Sequence, residues 1–212
     1  MIINKNLKLN LGQKAALIVF LVLLIDQCVK IWIKTHMMLG EEYHVLGNWF
    51  IIHFTENNGM AFGMEFGGSF GKLLLSSFRI FAVGGIGWYL VHLIKTKAHT
   101  GFVISIALIL AGAIGNILDS VFYGMIFSDS YFQIAQLFPA NGGYSSFLHG
   151  RVVDMLYFPI LKGHFPGWFP IWGSEEFIFF RPVFNIADSS ITIGVIIILL
   201  FQKQFFKPEN KI

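Results

Sequence analysis

Two aspartates lie at positions in this sequence where a charged side chain requires a chemical explanation. Asp188 follows Asn185 where a polar stretch gives way to the apolar run 191–206, and Asp154 lies in a long connection behind Val152 and Val153. An ionisable group at membrane depth is costly, so its default interpretation is functional. One cysteine and seven scattered histidines give no ligand spacing for a metal.

Two carboxylates without a metal favour water activation. Two carboxylates at close range share one proton, so one takes a proton from water while the other polarises a carbonyl, as in aspartic proteases. The sequence therefore predicts that the side chains of Asp154 and Asp188 meet, and no cofactor is expected.

The composition is typical of a membrane protein. Of 212 residues, 55% are hydrophobic and 13% are charged, against about 25% charged in soluble domains. The net charge of +3 and the absence of a Lys/Arg run give no indication of a nucleic-acid partner. We expect a mostly α membrane protein, one integral-membrane domain over 1–212, with four transmembrane helices near 15–34, 73–94, 101–122 and 188–206.

The connections between these helices differ in character. Alternation over Trp49–Phe54 predicts a small extracytoplasmic β-rich region between spans one and two. A long outer loop, broken by Pro and Gly, joins spans three and four. Basic residues concentrate in both tails and in the short loop between spans two and three, whereas acids concentrate in the two long connections, so both termini are predicted to be cytoplasmic. The lysines are Lys5, Lys8, Lys14, Lys95, Lys97, Lys203, Lys207 and Lys211.

Polar residues inside the apolar helices share faces. Asp26 and Lys30 are four apart in span one and can pair or snorkel to the interface. Gly112, Asn116 and Asp119 fall on one face of span three, which predicts that this face points into the protein and away from lipid. With the proposed orientation, these residues and the two aspartates gather near the outer face of the membrane.

Five short blocks carry a family resemblance. They are, in order, Asp26-Gln27-x-x-Lys30, Asn57-x-Gly59-x-Ala61-Phe62, Gly112-x-x-Gly115-Asn116-x-x-Asp119, Val152-Val153-Asp154 and Asn185-x-Ala187-Asp188. This ordered set resembles the lipoprotein signal peptidases (signal peptidase II) of bacteria.

The resemblance implies an enzyme of the bacterial inner membrane that cleaves signal peptides from prolipoproteins, N-terminal to a cysteine carrying diacylglycerol. It implies that Asp154 and Asp188 are catalytic, and that peptide antibiotics of the globomycin type inhibit the enzyme. The residues implied to bind substrate or support the site are Asn57, Gly59, Gly112, Asn116, Asp119, Asn185, Asp26 and Lys30.

The sequence departs from the family pattern in two ways. Ser120 stands where the family usually has an arginine, and we hypothesise that Arg151 supplies the missing cation to substrate carbonyls. The segments 120–151 and 155–185 are longer than usual, and we favour a tolerated surface insertion over a cap that shapes substrate access. Two alternatives to a peptidase are a non-enzymatic membrane assembly factor and a small proton-coupled carrier.

Overall fold

The computed structural model describes residues 9–59, 68–171, 173–179 and 182–207. Four helices within this part are long and apolar enough to cross a membrane: Leu11–His36, Phe70–Lys95, Thr100–Ile126 and Ile186–Phe205. An apolar helix satisfies every backbone N–H and C=O internally, which is why such sequences are helical in lipid. The predicted four-span architecture is confirmed.

The first three candidate spans extend beyond their predicted bounds at both ends, whereas the fourth begins two residues earlier and ends one residue earlier than predicted. The helices are α1 (Leu11–His36), α2 (Gly68–Lys95), α3 (Thr100–Leu118), the short α4 (Gly124–Ile126) and α5 (Ile186–Phe205), with a π-helical turn, Asp119–Tyr123, between α3 and α4. Span three therefore continues to Ile126, and span four begins at Ile186, two residues before Asp188. A π-helical turn inside an α-helix is rare and is often found at functional sites.

Six strands lie in the described parts of the long connections. They are β1 (Glu42–Leu46), β2 (Phe50–Asn57), β3 (Val152–Tyr157), β4 (Leu161–His164), β5 (Glu176–Phe179) and β6 (Val183–Phe184). One antiparallel sheet has the order β1-β2-β3-β6, and β4 pairs with β5. The β-rich region after span one is confirmed, and the long segments after span three supply half of its strands.

The chain forms two compact units. The first contains Met1–Gln27, Leu75–Leu118 and Ile186–Ile212, and its core packs residues of α1, α2 and α3 such as Ala15, Leu90 and Val103. Large apolar side chains elsewhere on these helices are exposed, as expected for a surface that faces lipid.

The second unit contains Cys28–Leu74 and Asp119–Asn185. Its core packs the end of α1 against the sheet and the π-helical turn through Ile33, Phe54, Tyr123, Phe127 and Val153. Both faces of the buried part of β3 are covered, since Val152, Val153, Asp154 and Met155 are all buried. Asp154 is thus fixed on a strand that is held on both sides.

Candidate active site

Asp154 lies in the middle of β3, opposite Thr55 of β2. Its Oδ2 accepts a hydrogen bond from the Asn57 amide, and its Oδ1 accepts one from Asn185 Nδ2 at 2.7 Å. Asn185 also donates to the carbonyl of Val153 at 3.2 Å. Both carboxylate oxygens of this buried group are therefore held by side-chain amides, which makes its orientation well defined.

Strand pairing brings the two amides to Asp154. β2 pairs with β3 through Asn57 opposite Val152, so Asn57 lies within two residues of the register position of Asp154. β6 pairs with β3 through Phe184 opposite Leu156, and Asn185 follows directly. The chain leaves this sheet at Asn185 and enters α5 at the next residue.

A tight turn follows Asn57. Its Oδ1 accepts a hydrogen bond from the Gly59 N–H at 2.5 Å, and Gly59 has a φ of 89°. A side-chain oxygen that bonds the backbone two residues on forms an Asx turn, and a positive φ favours glycine. Asn57 thus holds the turn with its oxygen and Asp154 with its nitrogen. Ala61 and Phe62 of the same block lie outside the described residues.

A buried ion pair contacts the backbone of β3. Asp119 Oδ2 lies 2.8 Å from Lys30 Nζ and accepts a hydrogen bond from the Val153 N–H at 3.2 Å. Both charged side chains are fully buried. A buried pair requires good geometry to offset its desolvation, and here the carboxylate holds the residue next to Asp154. The predicted supporting residues Lys30 and Asp119 come together at this point.

Asp188 lies in the first turn of α5 and is half-buried. Its Oδ1 accepts a hydrogen bond from Asn116 Nδ2 of α3 at 2.7 Å. Asp26 of α1 accepts from the Ala187 N–H at 2.9 Å, so a buried carboxylate caps the N-terminus of α5. The three predicted residues Asp26, Asn116 and Asp188 therefore meet at the start of this helix.

Glycines let α3 and α5 approach closely enough for the Asn116 contact. A Cβ at Gly112 would lie 2.1 Å from the carbonyl oxygen of Ala187, and one at Gly115 would lie 2.8 Å from Asp26 Oδ2. On the opposite helix, a Cβ at Gly194 would lie 2.7 Å from the Ser105 carbonyl oxygen. Small residues at facing positions are the usual device for close helix pairs in membranes.

Arg151 is engaged in an ion network in the second unit. Its Nη1 lies 2.9 Å from Glu56 Oε2 and 3.1 Å from Asp129 Oδ1. Glu56 is also paired with Lys34 and accepts from the Ser130 hydroxyl at 2.8 Å. Partial burial opposes the charged form of Arg151, but hydrogen bonds from its guanidinium to Asp129 and Glu56 raise its pKa. Its proposed contact with substrate stays a prediction.

Sequence reasoning missed this network and one further cation. Glu56 precedes Asn57 directly, and Lys34 follows Lys30 by one helical turn, so both stood beside recognised positions. Arg79 lies within α2, and Asp188 is the acid whose charge acts on it. The signal for Arg79 was available, since an arginine inside a span is a functional candidate by default.

No group of three or more His, Cys, Asp or Glu side chains among the described residues would hold a metal ion. The chemical groups assembled here are instead carboxylates whose oxygens accept hydrogen bonds from amides. Such carboxylates bind and polarise water.

Comparisons with known proteins identify the family. A family model described as signal peptidase (SPase) II matches residues 18–204. This chain belongs to the signal peptidase II family. The lipoprotein signal peptidase of Porphyromonas gingivalis is 55% identical over 190 residues, which cover 89% of this chain and 82% of that protein. The lipoprotein signal peptidase of Amoebophilus asiaticus is 39% identical over 186 residues, covering 86% and 75%.

The fold agrees with this assignment. A bacterial membrane enzyme solved by the in meso method matches with a TM-score of 0.58 and 27% identity, and the match covers 94% of each chain. Signal peptidase II is an aspartic peptidase of family A8 that spans the membrane several times. The family membership confirms the resemblance found in the sequence and favours a peptidase over the assembly factor and the carrier.

Proposed function

We propose that this signal peptidase II removes the signal peptide from prolipoproteins, cutting N-terminal to a cysteine that carries diacylglycerol, with Asp154 and Asp188 as its catalytic pair. One observation carries the assignment of the pair. Asn185, three residues before Asp188 in the sequence, donates a hydrogen bond to Asp154 at 2.7 Å. A single short segment of chain thus supplies one aspartate and orients the other.

The chemistry of the pair follows from its shared proton. The ionised carboxylate takes a proton from water as the water oxygen attacks the scissile carbonyl carbon. The protonated carboxyl donates its proton to the carbonyl oxygen, which gives a neutral gem-diol. As the gem-diol collapses, the carboxyl that took the water proton gives it to the leaving nitrogen, the other carboxylate takes a proton from a gem-diol hydroxyl, and the C–N bond breaks. One proton remains on the pair at the end, as at the start.

The other residues position this pair. Asn57 and Asn185 orient Asp154, whereas Asn116 orients Asp188. Lys30, Asp119 and Asp26 act at one remove, through the backbone at Val153 and Ala187. Gly59 and Gly112 permit the turn and the close helix contact. We assign these residues positioning roles, and substrate contact to none of them.

The membrane location explains how such a substrate reaches the enzyme. We place the protein in the inner membrane of a bacterium. Both termini then lie in the cytoplasm, and the catalytic pair lies near the outer face of the membrane. We treat residues 1–212 as one integral-membrane peptidase domain. The acyl chains of the precursor stay in lipid while its peptide bond enters the polar site sideways. Cyclic peptide antibiotics of the globomycin type would compete for that site.

Paired substitutions test the proposal. Asp154→Asn and Asp188→Asn keep side-chain volume but remove the acid, so each should abolish cleavage of a diacylglyceryl-modified model precursor in proteoliposomes. Glu42→Gln, which changes an exposed acid of β1, is the matched control and should cleave normally. Cleavage at the wild-type rate by either aspartate variant would reject the catalytic pair, and loss of insertion in both would favour a structural role.

A further inference from the structure

The loop between α4 and β3 exposes large apolar side chains that no other segment among the described residues covers. We call residues 127–150 the aromatic loop. Residues 130–148 contain no Asp, Glu, Lys or Arg. Phe132 is 99% exposed and Phe138 is 73% exposed. Further large apolar side chains are also exposed, at Tyr131, Ile134, Leu137 and Phe147. An uncharged surface of this kind is unusual for a loop that faces only water.

The loop is tied to the end of the first span. The Ala135 N–H donates to the carbonyl oxygen of Lys34 in α1 at 3.2 Å. Trp32 and His36 lie before and after Lys34 in α1, and their rings stack with centroids 5.1 Å apart. The Trp32 side chain is exposed. Trp32 and His36 each lie two residues from Lys34, so the axial offset is about 3 Å at a helical rise of 1.5 Å per residue. Tryptophan at a span end marks the headgroup level of a bilayer.

A second tie reaches the end of the third span. The Phe138 N–H donates to the carbonyl oxygen of Ile126 at 2.7 Å, and Phe127 forms a β-bridge with Leu137. Ile126 is the last residue of the candidate span Thr100–Ile126. Two independent hydrogen bonds therefore hold the exposed aromatic residues level with the ends of two spans.

The backbone at the two most exposed phenylalanines of the aromatic loop is unusual. Phe132 has a φ of 59° and Phe138 a φ of 52°. L-residues with large side chains rarely adopt this left-handed region, and such conformations persist where the surrounding structure enforces them, often at functional positions. Here the left-handed conformation occurs at two exposed phenylalanines, which a loop surrounded by water would be expected to bury.

We propose that the aromatic loop is an interfacial anchor, with Phe132 and Phe138 inserted at the boundary between the headgroups and acyl chains of the bilayer. The partner is lipid and not a second protein, because the loop is held at the level of the span ends and its residues 130–148 contain no Asp, Glu, Lys or Arg. The exposed sheet edge gives the contrast. β1 and the residue before it carry Glu41 and Glu42, and we assign that edge to water. The inference depends on the membrane spans and not on the peptidase reaction.

Depth measurements in proteoliposomes test the anchor. The lone cysteine, Cys28, is exposed and is first replaced by serine. An environment-sensitive NBD label is then attached at Phe132→Cys or Phe138→Cys, and at Glu42→Cys as the control. The vesicles consist of phosphatidylethanolamine and phosphatidylglycerol, with or without nitroxide-labelled lipid. We expect blue-shifted emission and quenching by the nitroxide at both loop positions, and quenching by aqueous iodide at the control.

Two results would overturn the anchor. Iodide quenching at the loop positions equal to that at Glu42→Cys would place the loop in water. Blue-shifted emission without lipid quenching would mean that protein covers it. Because replacing a phenylalanine can itself weaken insertion, Gln133→Cys provides a second labelled site beside Phe132 that keeps both aromatic residues, and it must report lipid as well.

Discussion

The two aspartates of the proposed pair are positioned by different physical means. Asp154 sits on a buried strand and is held by polar contacts: two amides on its own oxygens, and an ion pair that holds the neighbouring backbone. Asp188 sits at a helix end, where its Oδ1 accepts a hydrogen bond from Asn116. That contact depends on glycines that let two helices nearly touch.

This difference predicts different sensitivities. Around Asp154, a substitution should be tolerated only if the polar contacts survive it. Isosteric changes that remove a charge or a hydrogen bond should therefore be damaging. The surroundings of Asp188 should be sensitive to one added methyl group. The predictions below separate these two modes.

Loss of the buried cation should have the largest effect. Lys30→Met keeps the length of the side chain but leaves the buried Asp119 carboxylate without its partner cation. Removing one partner of a buried pair costs roughly 3–5 kcal/mol. We expect a much lower Tm in detergent and loss of cleavage. Lys14→Met, at an exposed position of the same helix, is the control and should behave as wild type. Equal stability of both variants would show that polar contacts do not hold this region.

The Lys30–Asp119 pair also shows what the sequence conveys. The positions of both residues within the spans, and their membership in family blocks, were readable from spacing. Their contact with each other was not, because an i,i+4 spacing indicates only the pairing of Lys30 with Asp26 within α1, and Asp119 lies in the π-helical turn. Which residues meet across elements depends on tertiary packing.

The same limit applies to the amides and to the second sheet half. The spacing of three between Asn185 and Asp188 does not indicate that the Asn185 amide donates to Asp154 of β3. The four spans and the strands after span one followed from hydropathy and alternation. Pairing of β3 and β6 with those strands is long-range in sequence and left no local pattern, since β6 has two residues.

An added methyl group on α3 tests the packing mode. Gly112→Ala places a Cβ against the Ala187 carbonyl oxygen, where backbone and not a flexible side chain must move. Overpacking costs roughly 1–3 kcal/mol, and the shift of α5 should displace Asp188. We expect loss of most cleavage with the protein still inserted. Gly84→Ala and Gly85→Ala, with no atom within 4 Å of the new Cβ, are matched controls on α2. If Gly112→Ala were as active as these controls, close packing of α3 against α5 would not be what positions Asp188.

Removal of single amides sharpens the comparison. Asn185→Ala deletes the hydrogen bonds of a fully buried side chain to Asp154 and to the Val153 carbonyl, whereas Asn116→Ala deletes the hydrogen bond of a half-buried side chain to Asp188. At about 1–3 kcal/mol for leaving a buried partner unsatisfied, Asn185→Ala should lower kcat by roughly 10- to 100-fold. Asn116→Ala should lower it less, with KM little changed in both. A larger effect at Asn116 would reverse the assignment of which aspartate depends on polar contacts.

The smallest expected effect is a pH dependence at the edge of the polar network. Burial opposes ionisation of Asp129, but the hydrogen bond and charge of Arg151, together with hydrogen bonds from the backbone of Tyr131 and Ser130, outweigh it and lower the pKa of Asp129. A carboxylate with a lowered folded-state pKa adds stability above its unfolded pKa, about 3.9, and loses it as the pH falls through the folded value. Asp129→Asn should therefore unfold at a lower temperature than wild type near neutral pH, and the unfolding temperatures of the two proteins should converge in acid.

Glu175→Gln, at another exposed acid, should show no such convergence. A constant gap between Asp129→Asn and wild type at every pH would mean that the Arg151 contact with Asp129 acts through shape and not through charge.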